Sequence, residues 1–122
     1  MLRILVVDDN LDVVNSLVML LEAFSYDVLT ANDGLQAIEV ATHFRPDVVL
    51  LDIGMPKLDG YEVCSHIREQ SWGMDIKILA MSGMGQNDDL GKSIGSDFTE
   101  HLIKPVRPEL LLQLLANYGS RP

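Results

Sequence analysis

At 122 residues, 48% hydrophobic and 22% charged, the chain has room for one core and enough apolar side chains to offset its ordering entropy, which excludes two ordinary domains and native disorder. Nine Lys and Arg against 18 Asp and Glu leave a formal charge of -9, and with no basic run to track a phosphate backbone, direct nucleic-acid binding is not expected. Cys64 is the single cysteine, so an internal disulfide and a multi-cysteine zinc site are excluded, and a reducing, cytoplasmic setting is expected.

The chain opens with an apolar run, Leu2 to Val7, which reads as a strand covered on both faces. It stops at Asp8 without a small-residue cleavage site, so neither a signal peptide nor a membrane span is expected. Val13, Leu17, Leu20, Leu21 and Phe24 then recur at helical spacing. Asp27 to Ala31 predicts a second strand, and Leu35, Ile38, Ala41 and Thr42 a second helix, with Asp33 and Gln36 at capping-box spacing ahead of it. Val48 to Leu51 is again a fully apolar strand pattern. Asp59 and Glu62 repeat the capping spacing before a helix carrying Val63, Cys64 and Ile67.

Ile76 to Met81 predicts the fourth strand, and a weak polar stretch around Asp88 to Ile94 the fourth helix, with Gly95 able to stop it. Phe98 to Ile103 reads as a fifth strand whose polar residues suit an edge. Pro108 suits the first turn of a last helix containing Leu110, Leu111, Leu114, Leu115 and Tyr118, closed by Gly119, Ser120 and Pro122. Strand and helix alternate five times, and parallel neighbours need crossovers long enough to hold a helix. The fold class is therefore α/β: a doubly wound, five-stranded parallel sheet between two layers of helices, five in all, in one domain over residues 1–122.

In open parallel sheets, ligands sit beyond the carboxyl ends of the strands. Those ends carry Asp8-Asp9-Asn10, Asp52-Ile53-Gly54-Met55-Pro56, Ser82-Gly83 and Lys104-Pro105. Three converging carboxylates repel one another unless a cation sits among them or one takes up a proton. Oxygen-only ligation with room for water describes magnesium, and zinc lacks suitable ligands here. If one carboxylate attacks phosphorus, the metal and Lys104 neutralise charge on the transferred group while the Ser82 hydroxyl binds one of its oxygens. The constellation suits phosphoryl transfer.

Val6-Val7-Asp8-Asp9-Asn10, Leu50 to Pro56 followed by Asp59-Gly60, Ser82-Gly83 and Lys104-Pro105, in this order and spacing, resemble the receiver domain of two-component response regulators, chemotaxis-regulator-like, over essentially the whole chain. The resemblance implies a flavodoxin-like strand order 2-1-3-4-5. It also implies Asp52 as phosphoacceptor and Asp8 and Asp9 as the acidic pair that, with Asp52 and the Gly54 backbone carbonyl, holds magnesium. By the same resemblance Ser82 is the switch hydroxyl, Lys104 contacts the phosphoryl group, and Pro105 follows a cis peptide. One position departs: receivers carry Tyr or Phe three residues before the lysine, and this chain has His101. A histidine is smaller than the aromatic of the usual relay and polar, and can still swing inward.

Each residue also has a plainer reading. Asp8, Asp9 and Asn10 suit a helix N-cap, Asp52 alone could cap a turn, and Lys104 alone is a surface charge. Only their joint register argues otherwise. His43 and His66 read as surface residues, Cys64 as a packed thiol and Met55 as packing beside the site. The glycines at 83, 85, 91 and 95 suggest low local stability, not a nucleotide-binding loop.

The function expected is a phosphorylation switch rather than a metabolic enzyme: a histidine kinase or histidine phosphotransfer domain donates to Asp52, and the receiver slowly hydrolyses its own phosphoryl group. A receiver-like module that signals without phosphorylation, and the receiver of a hybrid sensor kinase, are the alternatives within the family. A flavodoxin-like cofactor binder would need a Ser/Thr- and Gly-rich loop where Asp8-Asp9 stands, and an aspartate-nucleophile phosphatase would want its nucleophile on the first strand. The apolar breadth of the last helix fits a homodimer through the fourth and fifth helices, or simple edge packing. Neither a membrane partner nor an effector segment after the last helix is expected.

Overall fold

The computed structural model describes residues 2–55, 59–83 and 98–119. Five strands, β1 (Arg3–Val7), β2 (Asp27–Ala31), β3 (Val48–Asp52), β4 (Lys77–Gly83) and β5 (Glu100–Lys104), form one parallel sheet in the order β2-β1-β3-β4-β5. Four helices lie among the described residues: α1 (Leu11–Ala23), α2 (Gly34–Phe44), α3 (Gly60–Arg68) and α4 (Pro108–Gly119). The helix expected around Asp88 to Ile94 lies outside the described residues, so the expected number of five stands at four here.

Side chains alternate across the strands, and both faces of the sheet are buried, which is why the central strands carry continuous apolar runs. Leu5, Val7, Val49, Leu51 and Ile78 pack under α2 and α3 with Ala37, Ala41, Val63 and Ile67. Ile4, Val6, Leu50, Leu79 and Met81 pack under α1 and α4 with Leu17, Leu21, Leu111 and Leu115. Cys64 and Met55 are buried in the first of these clusters, as expected.

Local chemistry sets the helix ends. The Asn10 side chain accepts hydrogen bonds from the Asp12 and Val13 amides and starts α1. Asp59 and Glu62 form a complete capping box at α3, each side chain accepting from the other's backbone N–H. At α2 the box is shifted: Asp33 caps the Gln36 amide, but the Gln36 side chain accepts from Asn32 N–H instead of from Asp33. α2 ends at Arg45, which takes the left-handed conformation at φ 51°, with Pro46 behind it preventing continuation. α4 begins at Pro108 and runs through Gly119, one residue further than a stop at that glycine requires.

Candidate phosphoryl-transfer site

β1, β3 and β5 are parallel, so the residues that end or follow them arrive at the same edge of the sheet. Asp8 follows β1, and its Oδ1 accepts the Asn10 N–H at 2.9 Å, so the residue that caps α1 also fixes the Asp8 carboxylate. Asp52 ends β3, and its Oδ1 accepts the Gly54 N–H at 3.0 Å. Lys104 ends β5 and places its ammonium 2.8 Å from Asp8 Oδ2 and 3.3 Å from Asp52 Oδ2. Asp8 is fully buried and Asp52 only 6% exposed, whereas Asp9 is exposed.

The electrostatics are those of crowded carboxylates. Burial pushes the Asp52 carboxyl above its ordinary value and the Asp8 charge pushes it further, against the Gly54 N–H and Lys104, which favour the ionised form. Burial alone would lower the Lys104 ammonium, but its hydrogen bond to Asp8 and the charges of Asp52 and Asp8 outweigh this and hold it above its ordinary value.

Asp8, Asp9 and Asp52 each offer a carboxylate oxygen, and these oxygens lie within 4.8 Å of one another. Asp8 Oδ2 is buried and, among the described residues, is met by the Lys104 ammonium at 2.8 Å and by no other donor. A buried acceptor with spare capacity, in an all-oxygen donor set open to solvent on the Asp9 side, fits a hard divalent cation such as magnesium.

Ser82, 1% exposed near the end of β4, has its hydroxyl 2.7 Å from His101 Nε2 on β5. The Lys104–Pro105 peptide is cis, as the resemblance implied. His43 and His66 are exposed. Pro56 is outside the described residues.

Two contributions were not read from the sequence. The Asn10 backbone N–H positions Asp8, although only a side-chain capping role is evident from its residue type. Gly60 lets α3 approach β3 so closely that a Cβ there would stand 2.6 Å from Ile53 Cα and 2.9 Å from the Asp52 carbonyl oxygen; the Asp59-Gly60 pair at a helix start was the available cue.

With this geometry in view, the chain matches the family described as response regulator receiver domain over residues 4–116. The chain belongs to that family. It is 40% identical over 106 residues to the alkaline phosphatase synthesis transcriptional regulatory protein PhoP of Bacillus subtilis, covering 87% of this chain and 43% of that protein. It is 39% identical over 111 residues to the response regulator MprA of Mycobacterium leprae, covering 91% of this chain and 48% of that protein. The chain thus spans under half the length of these relatives. Among solved structures, the receiver domain of sensor histidine kinase PA1611 from Pseudomonas aeruginosa, which has a magnesium ion coordinated in its active-site cleft, superposes with a TM-score of 0.89 at 30% identity, covering 98% of each chain. A response regulator from Chloroflexus aurantiacus gives 0.90 at 26% identity, again over 98% of each chain.

Proposed function

We propose that this chain is a phosphorylation switch, a single receiver unit in which Asp52 accepts a phosphoryl group from a phosphohistidine on a histidine kinase or histidine phosphotransfer domain. The observation that carries the reading is the meeting of Asp8, Asp9, Asp52 and Lys104 at one edge of the sheet. A carboxylate oxygen of Asp52 forms the new O–P bond as the donor's P–N bond breaks, and the electron pair returns to the donor imidazole, which takes up a proton. Lys104, 3.3 Å from Asp52, is within reach of an oxygen of the incoming group. Asp8, Asp9, Asp52 and the Gly54 carbonyl would hold magnesium, whose double charge offsets that of the phosphoryl oxygens.

An apolar groove of about 270 Å³, lined by Val13, Leu17, Pro105 and Val106, lies beside Lys104 and supports docking of a donor domain next to the acceptor. The chemistry of the chain itself is confined to accepting the group and slowly releasing it to water. Phosphorylation would act by adding charge next to the Ser82 and His101 pair. No helix among the described residues is long and apolar enough to cross a membrane. Incubation with a small phosphodonor and magnesium, followed by intact-mass measurement, tests the reading: one phosphoryl group should add to the unchanged chain and none to Asp52→Asn. Equal labelling of both would refute the assignment.

A further inference from the structure

A cavity of about 320 Å³ opens where β1, β3 and β4 begin, at the edge of the sheet opposite the acidic cluster. Val48 at the start of β3 lines it, whereas Asp52 at the end of the same strand belongs to the phosphoryl site, so the length of β3 separates the two. Three kinds of group meet in its wall: the rings of Trp72 and Tyr118, the cations Arg45 and Lys77, and the carboxylates Asp47 and Asp75. The Arg45 guanidinium lies 4.7 Å from the Trp72 ring centre, and the Lys77 ammonium 5.8 Å from that of Tyr118. Among the described residues neither cation comes within ion-pair distance of a carboxylate, in a chain whose formal charge is -9.

Arg45 occupies a strained position. It closes α2 in the left-handed region at φ 51°, where glycine is the unstrained choice. Its Nε donates to the Thr42 carbonyl at 2.7 Å, and Asp47 Oδ2 accepts the Arg3 N–H at 2.9 Å. A cation and a carboxylate of the cavity are thus held in place in advance, which lowers the ordering cost of binding.

We infer that this cavity binds a small aromatic molecule carrying both an anionic group and N–H donors. The ring packs against Trp72 and Tyr118, the anion meets Arg45 and Lys77, and the donors meet Asp47 and Asp75. Two sources share this chemistry: a purine mononucleotide such as GMP, whose base edge carries N–H donors, and an aromatic amino acid, whose ammonium fills the same role. The volume lies at the small end of cavities that hold such ligands. The inference does not depend on phosphorylation of Asp52.

Trp72 is the single tryptophan, so its fluorescence, excited at the red edge of indole absorption where neither ligand absorbs, reports on the cavity directly. The full chain is titrated with GMP and, separately, with phenylalanine, and inorganic phosphate serves as an anion without a ring. A saturable change with a Kd below about 1 mM is expected for at least one of the two ligands and identifies the source that fits. Arg45→Gly suits the left-handed turn and so should fold; it should weaken that binding at least about tenfold by calorimetry, which does not depend on the altered surroundings of Trp72. Lys77→Met, which keeps an apolar chain of similar length at the start of β4, should weaken it likewise and carries the test if Arg45→Gly does not fold. No saturable change with either ligand, an equal response to inorganic phosphate, or unaltered affinity in the folded variants would overturn the inference.

Discussion

The Lys104 ammonium is committed first to Asp8, at 2.8 Å, while Asp52 stands at 3.3 Å. Asp8 is fully buried, and an uncompensated buried carboxylate is expensive. Lys104→Met should therefore destabilise the fold, by about 1–2 kcal/mol, less than for a fully enclosed pair because the Lys104 side chain is 22% exposed. Urea unfolding at neutral pH measures this, and adding Asp8→Asn should recover most of the loss. Because the Lys104 value is raised on folding, its stabilisation is complete below the ordinary lysine value of 10.5 and disappears as pH rises through the native value. The Met variant should lack that alkaline loss.

Asp52 shifts in the destabilising direction. Its native value lies above the ordinary 3.8, so the folded state binds the proton more tightly than the unfolded one, and stability falls as pH rises from 3.8 to the native value. Asp52→Asn should remove this acid-side slope and raise the unfolding midpoint at neutral pH. A steeper loss of stability in the variant over the same window would contradict the repulsion described here.

Gly60 ties the start of α3 to the end of β3. Gly60→Ala should cost about 1–3 kcal/mol by overpacking, since its methyl group would press on Ile53 Cα and the Asp52 carbonyl at 2.6 and 2.9 Å. Thermal unfolding reports the stability loss, and phosphodonor labelling should slow in parallel because the displaced backbone carries Asp52. A variant as stable as the parent would show that α3 yields instead.

Asp9 offers the cleanest probe of metal binding because it is exposed and holds no part of the core. Magnesium should raise the unfolding midpoint of the parent chain by mass action, and Asp9→Asn should weaken that binding by at least about tenfold. Magnesium titrations followed by calorimetry give both numbers. Unchanged affinity in Asp9→Asn would place the ion elsewhere.

The convergence of Asp8, Asp52 and Lys104 was legible because parallel strands of apolar residues must share a carboxyl-end edge, and those residues end or follow such runs. What adjacency in sequence could not show is the division of labour within Asp8-Asp9, one fully buried and the other exposed. That split depends on the Asn10 N–H and on Lys104 arriving from β5. The β5 boundary was expected at Phe98 but falls at Glu100; Thr99 meets Ile78 through both its N–H and its Oγ1, so the pairing with β4 is entered through a side-chain contact. The Ser82 and His101 hydrogen bond depends on the cross-strand register, which residue types do not encode. The residue type marks His101 as a departure from the family's Tyr or Phe but does not disclose the Ser82 contact its ring makes.

Chemical mapping of the modified residue addresses the central claim most directly. Borohydride reduces an aspartyl phosphate to homoserine, so the chain can be treated with phosphodonor and magnesium, reduced, digested and sequenced by mass spectrometry. Homoserine at position 52, dependent on magnesium and absent from Asp52→Asn, is the predicted result. Homoserine at Asp8, Asp9 or Asp59, or none at any position under conditions that saturate magnesium, would contradict it.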